Sequence, residues 1–306
     1  MIKVGVIGAE TRMAGELLRI LLHHPEVELV FAYSAKLSGQ PLTGHHKGLV
    51  GDTTLEFTDA LPLDEIDVAF IASNDYVVEA GIILPESLKT IQMFPAAGEQ
   101  PKAPFDSVVA VGAVSELYRK PLVRGARAAK VLPPATTVAL IALFPPALHL
   151  LLNDDLDVRI NVPKTRALLN ADKIKAEIDR RIHEVQFSFN SIRNLELTSS
   201  GNIRAIDVEI EFPCGIEKDE ILKIYESIYD DHNFTFMVDT PPTPNEVAGT
   251  HKCLIHISKP STDVLRIHAV ADSMLRGGAG DAVHAMNLLF GLFEKTGLTF
   301  PAGLAF

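Results

Sequence analysis

The chain opens on an unbroken apolar run, Ile2 to Ile7, followed by a turn from Gly8 to Met13 and then by Met13, Leu17 and Leu21, spaced to share one helix face. Strand, turn and helix are predicted in that order. Further short apolar runs follow at Glu28 to Ala32, Asp67 to Ala72, Thr90 to Phe94, Val108 to Val111 and Lys130 to Leu132, separated by helical or loop stretches. Near-continuous apolar character is what a strand covered on both faces requires, so these runs predict a buried parallel sheet. The alternation of strands and helices over residues 1–134 predicts a doubly wound, Rossmann-type α/β domain with its ligand crevice at the strand ends.

From about residue 150 the pattern changes: Ile206, Val208, Ile210 and Phe212 alternate with Asp207, Glu209 and Glu211, as in a strand with one apolar face. Strands are also expected at Leu156 to Val162, Val185 to Phe189, Cys253 to Ser258 and Val264 to Val270, with helices at Asp172 to Arg181 and Lys218 to Tyr229. Residues 135–275 therefore read as an α+β substrate or oligomerisation domain with a mixed sheet. A glycine-rich turn, Arg276 to Gly280, precedes Val283, Met286, Phe290 and Phe293 at helical spacing, so residues 276–306 are expected to form a closing helix that packs back on the first domain. The chain has no low-complexity tract and no repeat of fixed period.

A chain of 306 residues, 47% of them hydrophobic, can bury the cores of two domains. Its net charge of −11 provides no electrostatic footprint for phosphate backbones or anionic lipid, which argues against nucleic acid and membranes as partners. No apolar run is long enough to span a bilayer and the N-terminus enters a strand at once, so a cytoplasmic protein is expected. The two cysteines, Cys214 and Cys253, are too few for a disulfide framework and are expected to be reduced.

Both ends of the chain carry a resemblance. The opening Ile7-Gly8-Ala9 with Glu16-Leu17-Leu18-Arg19 runs into His24-Pro25-Glu26-Val27-Glu28. The tail Leu275-Arg276-Gly277-Gly278-Ala279-Gly280-Asp281-Ala282-Val283 with Met286-Asn287-Leu288 is similar to L-V-K-G-A-A-G-Q-A-V-x-N-M-N-L, and Val247-Ala248-Gly249-Thr250 ahead of Cys253 is similar to V-R-G-S-N-x-C. On these motifs the chain resembles the N-acetyl-γ-glutamyl-phosphate reductases of the semialdehyde dehydrogenase superfamily over nearly its whole length. The resemblance implies an NADPH-dependent reduction of an acyl phosphate to a semialdehyde, a step of arginine biosynthesis, through a cysteine thioester. It also implies cofactor contacts at Gly8, Thr11, Arg12, Met13, Ser34, Lys36, Arg276 and Gly277.

Several chemistry-bearing positions depart from that pattern. The nucleophile motif N-P-G-C-Y-P-T corresponds to Leu132-Pro133-Pro134-Ala135-Thr136-Thr137-Val138, which puts Ala135 at the cysteine position, and a methyl group forms no thioester. Thr136 and Thr137 lack a histidine nearby in sequence to activate an alcohol. The H-R-H-x-P-E-I segment carrying the family's acid–base histidine corresponds to Asp172 to Ile178, without a histidine; His183, further on, reads as a surface histidine at a helix end. The substrate segment D-L-S-A-D-F-R falls near Gln92 to Gly98 and loses its acidic and arginine groups. In the phosphate turn, G-A-T-G-Y-T-G becomes Gly8 to Ala14 with Thr11 at the second glycine and a carboxylate at Glu10. NADP is thus the cofactor the resemblance implies, with weak or absent binding expected.

Other constellations favour plain readings. His251, Cys253 and His256 suggest zinc ligands, but strand alternation sets His256 opposite the other two; an interior thiol at Cys253 and no metal site are expected. Cys214 reads as a turn thiol, His45-His46 as a solvated loop, and His23-His24 as the end of the first helix, where a cation favours the dipole. Three functions remain: a non-catalytic paralogue that assembles as a homo-oligomer or binds an active reductase or another enzyme; an oxidoreductase transferring hydride directly from NAD(P)H; and the family reaction run by another nucleophile.

Overall fold

The structure, a computed structural model, describes residues 1–73, 84–93, 110–163, 169–200 and 204–302. The chain divides into two compact units, Met1–Leu132 with Gly278–Thr299, and Pro133–Gly277 with Phe300–Phe306.

The first unit is built on β1 (Ile2–Ile7), α1 (Arg12–Leu22), β2 (Val27–Tyr33), α2 (Leu42–His45), β3 (Phe57–Thr58), β4 (Val68–Ile71), β5 (Lys89–Met93), β6 (Val111–Gly112), α3 (Ser115–Val123) and β7 (Ala128–Val131). Among the described residues its seven strands are all parallel, in the order β3-β2-β1-β4-β5-β7-β6. This is the doubly wound sheet read from the apolar runs. Val4, Val6, Val68 and Phe70 are fully buried, as strands covered on both faces should be. The run expected at Val108 to Val111 becomes a strand at Val111–Gly112; Val108, Val109 and Phe94 lie outside the described residues.

The second unit contains α4 (Pro134–Leu148), β8 (Asp157–Pro163), α5 (Ala171–Val185), β9 (Asn194–Ser200), β10 (Ala205–Pro213), α6 (Lys218–Tyr229), β11 (Thr235–Met237), α7 (Pro244–Val247), β12 (Cys253–Ser261) and β13 (Val264–Asp272). Its mixed sheet has the order β11-β12-β13-β10-β8-β9, with parallel pairs at β11/β12 and β8/β9. Ile206, Val208, Ile210 and Phe212 are buried, and α4 packs against β10, β13, α5 and α6.

The strand expected at Val185 to Phe189 is not formed. Ile174, Ile178 and Ile182 bury one face of α5, Asn170 caps its N-terminus by accepting from the Lys173 amide, and the helix runs on to Val185. The Gln186 side chain then bonds both the amide and the carbonyl of Leu152, so the segment leaves as a loop and the strand forms later, at β9.

The last helix, α8 (Ala279–Leu289), belongs to the first unit and packs on α1, α3, β5 and β7. It stops short of Phe290 and Phe293. Gly291 takes φ +67°, the left-handed conformation that closes helices, and Phe293 is left 68% exposed. No helix among the described residues is long and apolar enough to cross a membrane.

Candidate functional site

In the first unit, Gly8 ends β1 with φ +77°. A β-carbon there would lie 2.6 Å from Cβ and 2.9 Å from the amide nitrogen of Ser73, so glycine is required both for the backbone angle and for the approach of the loop after β4. The amides of Gly8 and Ala9 both donate to the carbonyl of Tyr33, at 3.1 and 3.0 Å, which fixes the turn across the ends of β1 and β2. Thr11 is the N-cap of α1: its Oγ1 accepts from the Ala14 amide at 3.1 Å and lies 3.5 Å from the Ala72 carbonyl. Arg12 and Met13 follow as the first residues of α1, where amides have no intrahelical partner.

Ser34, at the end of β2, is buried and donates its amide to Thr58 at 2.9 Å, whereas Lys36 is exposed just beyond it. Gly8, Thr11, Arg12, Met13, Ser34 and Lys36 are thus gathered at the carboxyl edge of one sheet, where open α/β folds take ligands. Glu10 stands in the same turn, with its Oε2 shut off from solvent, so the carboxylate folds against the protein.

His45 and His46, expected in a solvated loop, instead end α2 and bond this turn from outside, with His45 still exposed. His46 Nε2 donates to the carbonyl of Ala9 at 2.7 Å, and His45 Nε2 donates to that of Glu10 at 2.8 Å. Sequence spacing gave no signal for this contact, because α2 is a single turn that amphipathic periodicity does not reveal. His24 is also not a cationic helix end: it is buried, and Nε2 donates to Oδ1 of Asn287 at 3.1 Å. Burial lowers its pKa, so the ring is neutral near neutral pH.

In the second unit, Ala135 lies in the first turn of α4, behind Pro133 as N-cap and Pro134 as first helical residue. Ala135, Thr136 and Thr137 are fully buried, and the Thr137 amide closes the first turn on Pro133 at 2.8 Å. Neither thiol is on this helix: Cys253 is buried on β12, and Cys214 is buried just past β10. Arg276, also assigned to this unit, is fully buried; its Nη2 donates to Thr235 Oγ1 at 3.0 Å and its amide to the Asp272 carbonyl at 2.8 Å. Asp272 accepts from Arg204 Nε at 2.7 Å, the Gly249 amide at 2.7 Å and the Met274 amide at 2.9 Å. Gly277 follows with φ +68°.

The segment aligned with the family's acid–base histidine is the first half of α5, whose polar positions form ion pairs along the helix, including Lys175 with Asp179 at 2.7 Å. His183, in its last turn, is partly buried and bonds the Phe189 carbonyl at 2.8 Å. Of the substrate segment, Gln92 and Met93 are on β5 and the remainder lies outside the described residues.

Comparison with known proteins brings these observations together. Residues 3–82 match the semialdehyde dehydrogenase NAD-binding domain. The chain is 36% identical to an N-acetyl-gamma-glutamyl-phosphate reductase of Parabacteroides distasonis, over 97% of this chain and 98% of that protein.

The chain belongs to the N-acetyl-γ-glutamyl-phosphate reductase family.

A second reductase of this name, from Bacteroides fragilis, is 34% identical over 97% of the chain and 98% of its own length. Among solved structures, aspartate semialdehyde dehydrogenase II of Vibrio cholerae, complexed with ASA, superposes with a TM-score of 0.70 at 14% identity, covering 95% of this chain and 98% of that one. Aspartate semialdehyde dehydrogenase of Candida albicans, with NADP, has a TM-score of 0.63 at 12% identity, covering 95% and 98%. At these identities the likeness establishes the fold. Membership of the reductase family accounts for the Gly8 turn and the α8 segment together.

Proposed function

We propose that this chain does not carry out the thiolate-dependent reduction of an acyl phosphate and has kept the reductase fold for binding and assembly. The observation that carries this reading is Ala135, a buried methyl group in the first turn of α4, at the position aligned with the family's nucleophile. Loss of a nucleophile lowers turnover by roughly 10³- to 10⁶-fold. In the direction of semialdehyde oxidation, with NADP and phosphate, no NADPH formation above a no-enzyme control is expected. Phosphate-dependent NADPH formation that survives alkylation of Cys214 and Cys253 would overturn the proposal.

The turn fits a dinucleotide in part. Gly8 and the amides of Arg12 and Met13 support a pyrophosphate site, and Ser34 and Lys36, just past β2, support contacts with the adenosine ribose and its phosphate. Thr11 already caps α1, and the Glu10 carboxylate at about 4–5 Å from a phosphate would oppose binding by roughly 3–4 kcal/mol per unit charge at an effective dielectric near 20. NADPH is therefore expected to bind no tighter than about 100 μM, or roughly −5.5 kcal/mol.

A second reading, direct hydride transfer from NAD(P)H to a free carbonyl or imine, is supported by the glycine conformation at Gly8. Micromolar NADPH binding in a calorimetric titration would favour it over the non-catalytic role. The assembly proposed is a homo-oligomer, with an active reductase or another enzyme as the alternative partner.

A further inference from the structure

We propose that His46, assisted by His45, is a positioning residue for the phosphate turn of the first unit, orienting the peptides of Ala9 and Glu10 from outside the turn. The inference rests on reading that turn as a nucleotide site, and its test separates the two. A trans peptide is planar, so fixing a carbonyl also fixes the amide on its other side. The bond from His46 Nε2 to the Ala9 carbonyl, 2.7 Å, therefore sets the direction of the Glu10 amide. The bond from His45 Nε2 to the Glu10 carbonyl, 2.8 Å, does the same for the Thr11 amide, which meets the Gly8 carbonyl at 3.3 Å. From Ala9 to Thr11 the turn contains no glycine, and these two bonds hold consecutive carbonyls toward α2.

An independent observation lies in α1. Gly15 occupies its second turn, where glycine costs about 1 kcal/mol relative to alanine. A β-carbon there would lie 2.6 Å from His46 Nδ1 and 2.9 Å from Cε1. The helix thus carries a residue unfavourable to itself at the spot where the His46 ring enters. Because Nε2 donates to Ala9, Nδ1 of the neutral ring bears no proton and is the atom laid against Gly15. Burial lowers the pKa of His46, consistent with a neutral ring. The pair is braced from behind: the two imidazoles meet edge to face at 4.8 Å, and both pack against the buried ring of Phe57 at 6.0 and 6.1 Å.

The experiment compares the full-length chain with His46→Ala, His46→Gln, His45→Ala and Gly15→Ala by amide hydrogen exchange without nucleotide, followed by NADPH titration to millimolar concentration. His46→Ala is expected to speed exchange at Glu10 to Ala14 by about 10-fold or more while amides of β13 are unchanged, as loss of a hydrogen bond of ordinary strength implies. His46→Gln keeps an N–H donor and should recover most of the protection. His45→Ala, at an exposed side chain, should give a smaller change in the same segment. Gly15→Ala is the discriminating variant: helix propensity alone predicts slower exchange in α1, whereas displacement of His46 predicts faster exchange at Glu10 to Ala14. Unchanged exchange there in both His46→Ala and Gly15→Ala overturns the positioning role. If exchange responds as expected but the wild-type chain binds no NADPH, the positioning role stands and the nucleotide reading fails.

Discussion

Tyr225 supplies the hydrogen bond that Pro146 cannot. In a helix the carbonyl of Ala142 would accept from the amide of residue 146, but proline has none; the Tyr225 hydroxyl donates to that carbonyl instead, at 2.6 Å. Tyr229 does the same for Ile141, which Pro145 leaves without a partner, at 2.5 Å. One turn of α6 therefore completes the backbone of α4, the helix that carries Ala135.

Tyr225→Phe is expected to destabilise the chain by about 1–3 kcal/mol, the penalty of an unpaired buried carbonyl. Pro146→Ala restores an amide to α4, so in that background Tyr225→Phe should cost less, with a coupling of about 1 kcal/mol in a double-mutant cycle. Urea denaturation of the four proteins measures it, and strict additivity would show that the tyrosine does not serve the helix.

The same helix shows where sequence reading ends. Most strands of the first unit were legible as short apolar runs, and β10 because it alternates, whereas the two-residue β3 offered no run to read. α4 gave no such signal: it is apolar all round, interrupted by Pro145 and Pro146, and two of its carbonyls are satisfied by tyrosines of α6, 83 and 88 residues away along the chain. The candidate site was legible in half. The strand-turn-helix pattern marks the turn of Gly8 and Thr11 and the family resemblance adds Ser34, but the hold of His45 and His46 on the turn depends on a tertiary contact that spacing does not encode.

Ala135→Cys should not restore phosphate-dependent turnover. The restored thiol would stand in the first turn of α4, but α5 offers no histidine in the segment aligned with the family's acid–base group. Steady-state assay of the variant checks this; robust NADPH formation would locate the whole defect in the missing sulfur.

Gly8→Ala should destabilise the first unit by about 2 kcal/mol or more. A left-handed conformation costs an L-residue roughly 1–2 kcal/mol, and the new methyl would also meet Ser73 at 2.6 Å. Adding Ser73→Gly should recover only the part of the steric cost that comes from the serine β-carbon, because the amide nitrogen of residue 73 still lies 2.9 Å from the new methyl; thermal unfolding of the single and double variants resolves the two.

Acidification should weaken the fold through His24 and His46. Burial is the main cause of the lowered pKa of each, from an unfolded value of 6.5. Below 6.5 the unfolded chain takes up protons that the folded chain refuses, so the stability contributed by the neutral rings is full above that value and is lost as pH falls toward the folded pKa. The slope is at most about 1.4 kcal/mol per pH unit for each histidine. The carboxylates of Asp154, Asp157 and Glu246, whose pKa values are also lowered, add their loss only further down, below the ordinary carboxylate range. Urea denaturation between pH 7.5 and 5.5 should give a shallower decline for His24→Gln than for the wild-type chain, and parallel curves would remove His24 from the account.

The assembly proposal rests on the second unit, which the sequence reads as a substrate or oligomerisation domain. The apolar faces of α8 and β10 are covered within their own units: all of α8 is buried, and the inner side of β10 lies on α4. The outer face of the second sheet is of a different kind. There Glu209 lies 3.1 Å from Arg159 and Asp207 2.7 Å from His268, with Glu211 paired to Arg266, and Phe236 is 39% exposed beside Leu254 in register. Charges already paired along the strands cost less to cover than lone ones, and an aromatic at the margin adds apolar area, so this face suits a second copy of the chain. A stable interface of this kind buries more than about 1,000 Å² in total. Sedimentation velocity at about 1 μM should give a species of twice the 33.3 kDa chain mass, shifting toward monomer in Glu209→Lys, where the new cation would stand beside both Arg159 and Arg266. A single 33.3 kDa species at every accessible concentration would end the assembly reading and leave ligand binding at the Gly8 turn as the account of why this fold persists.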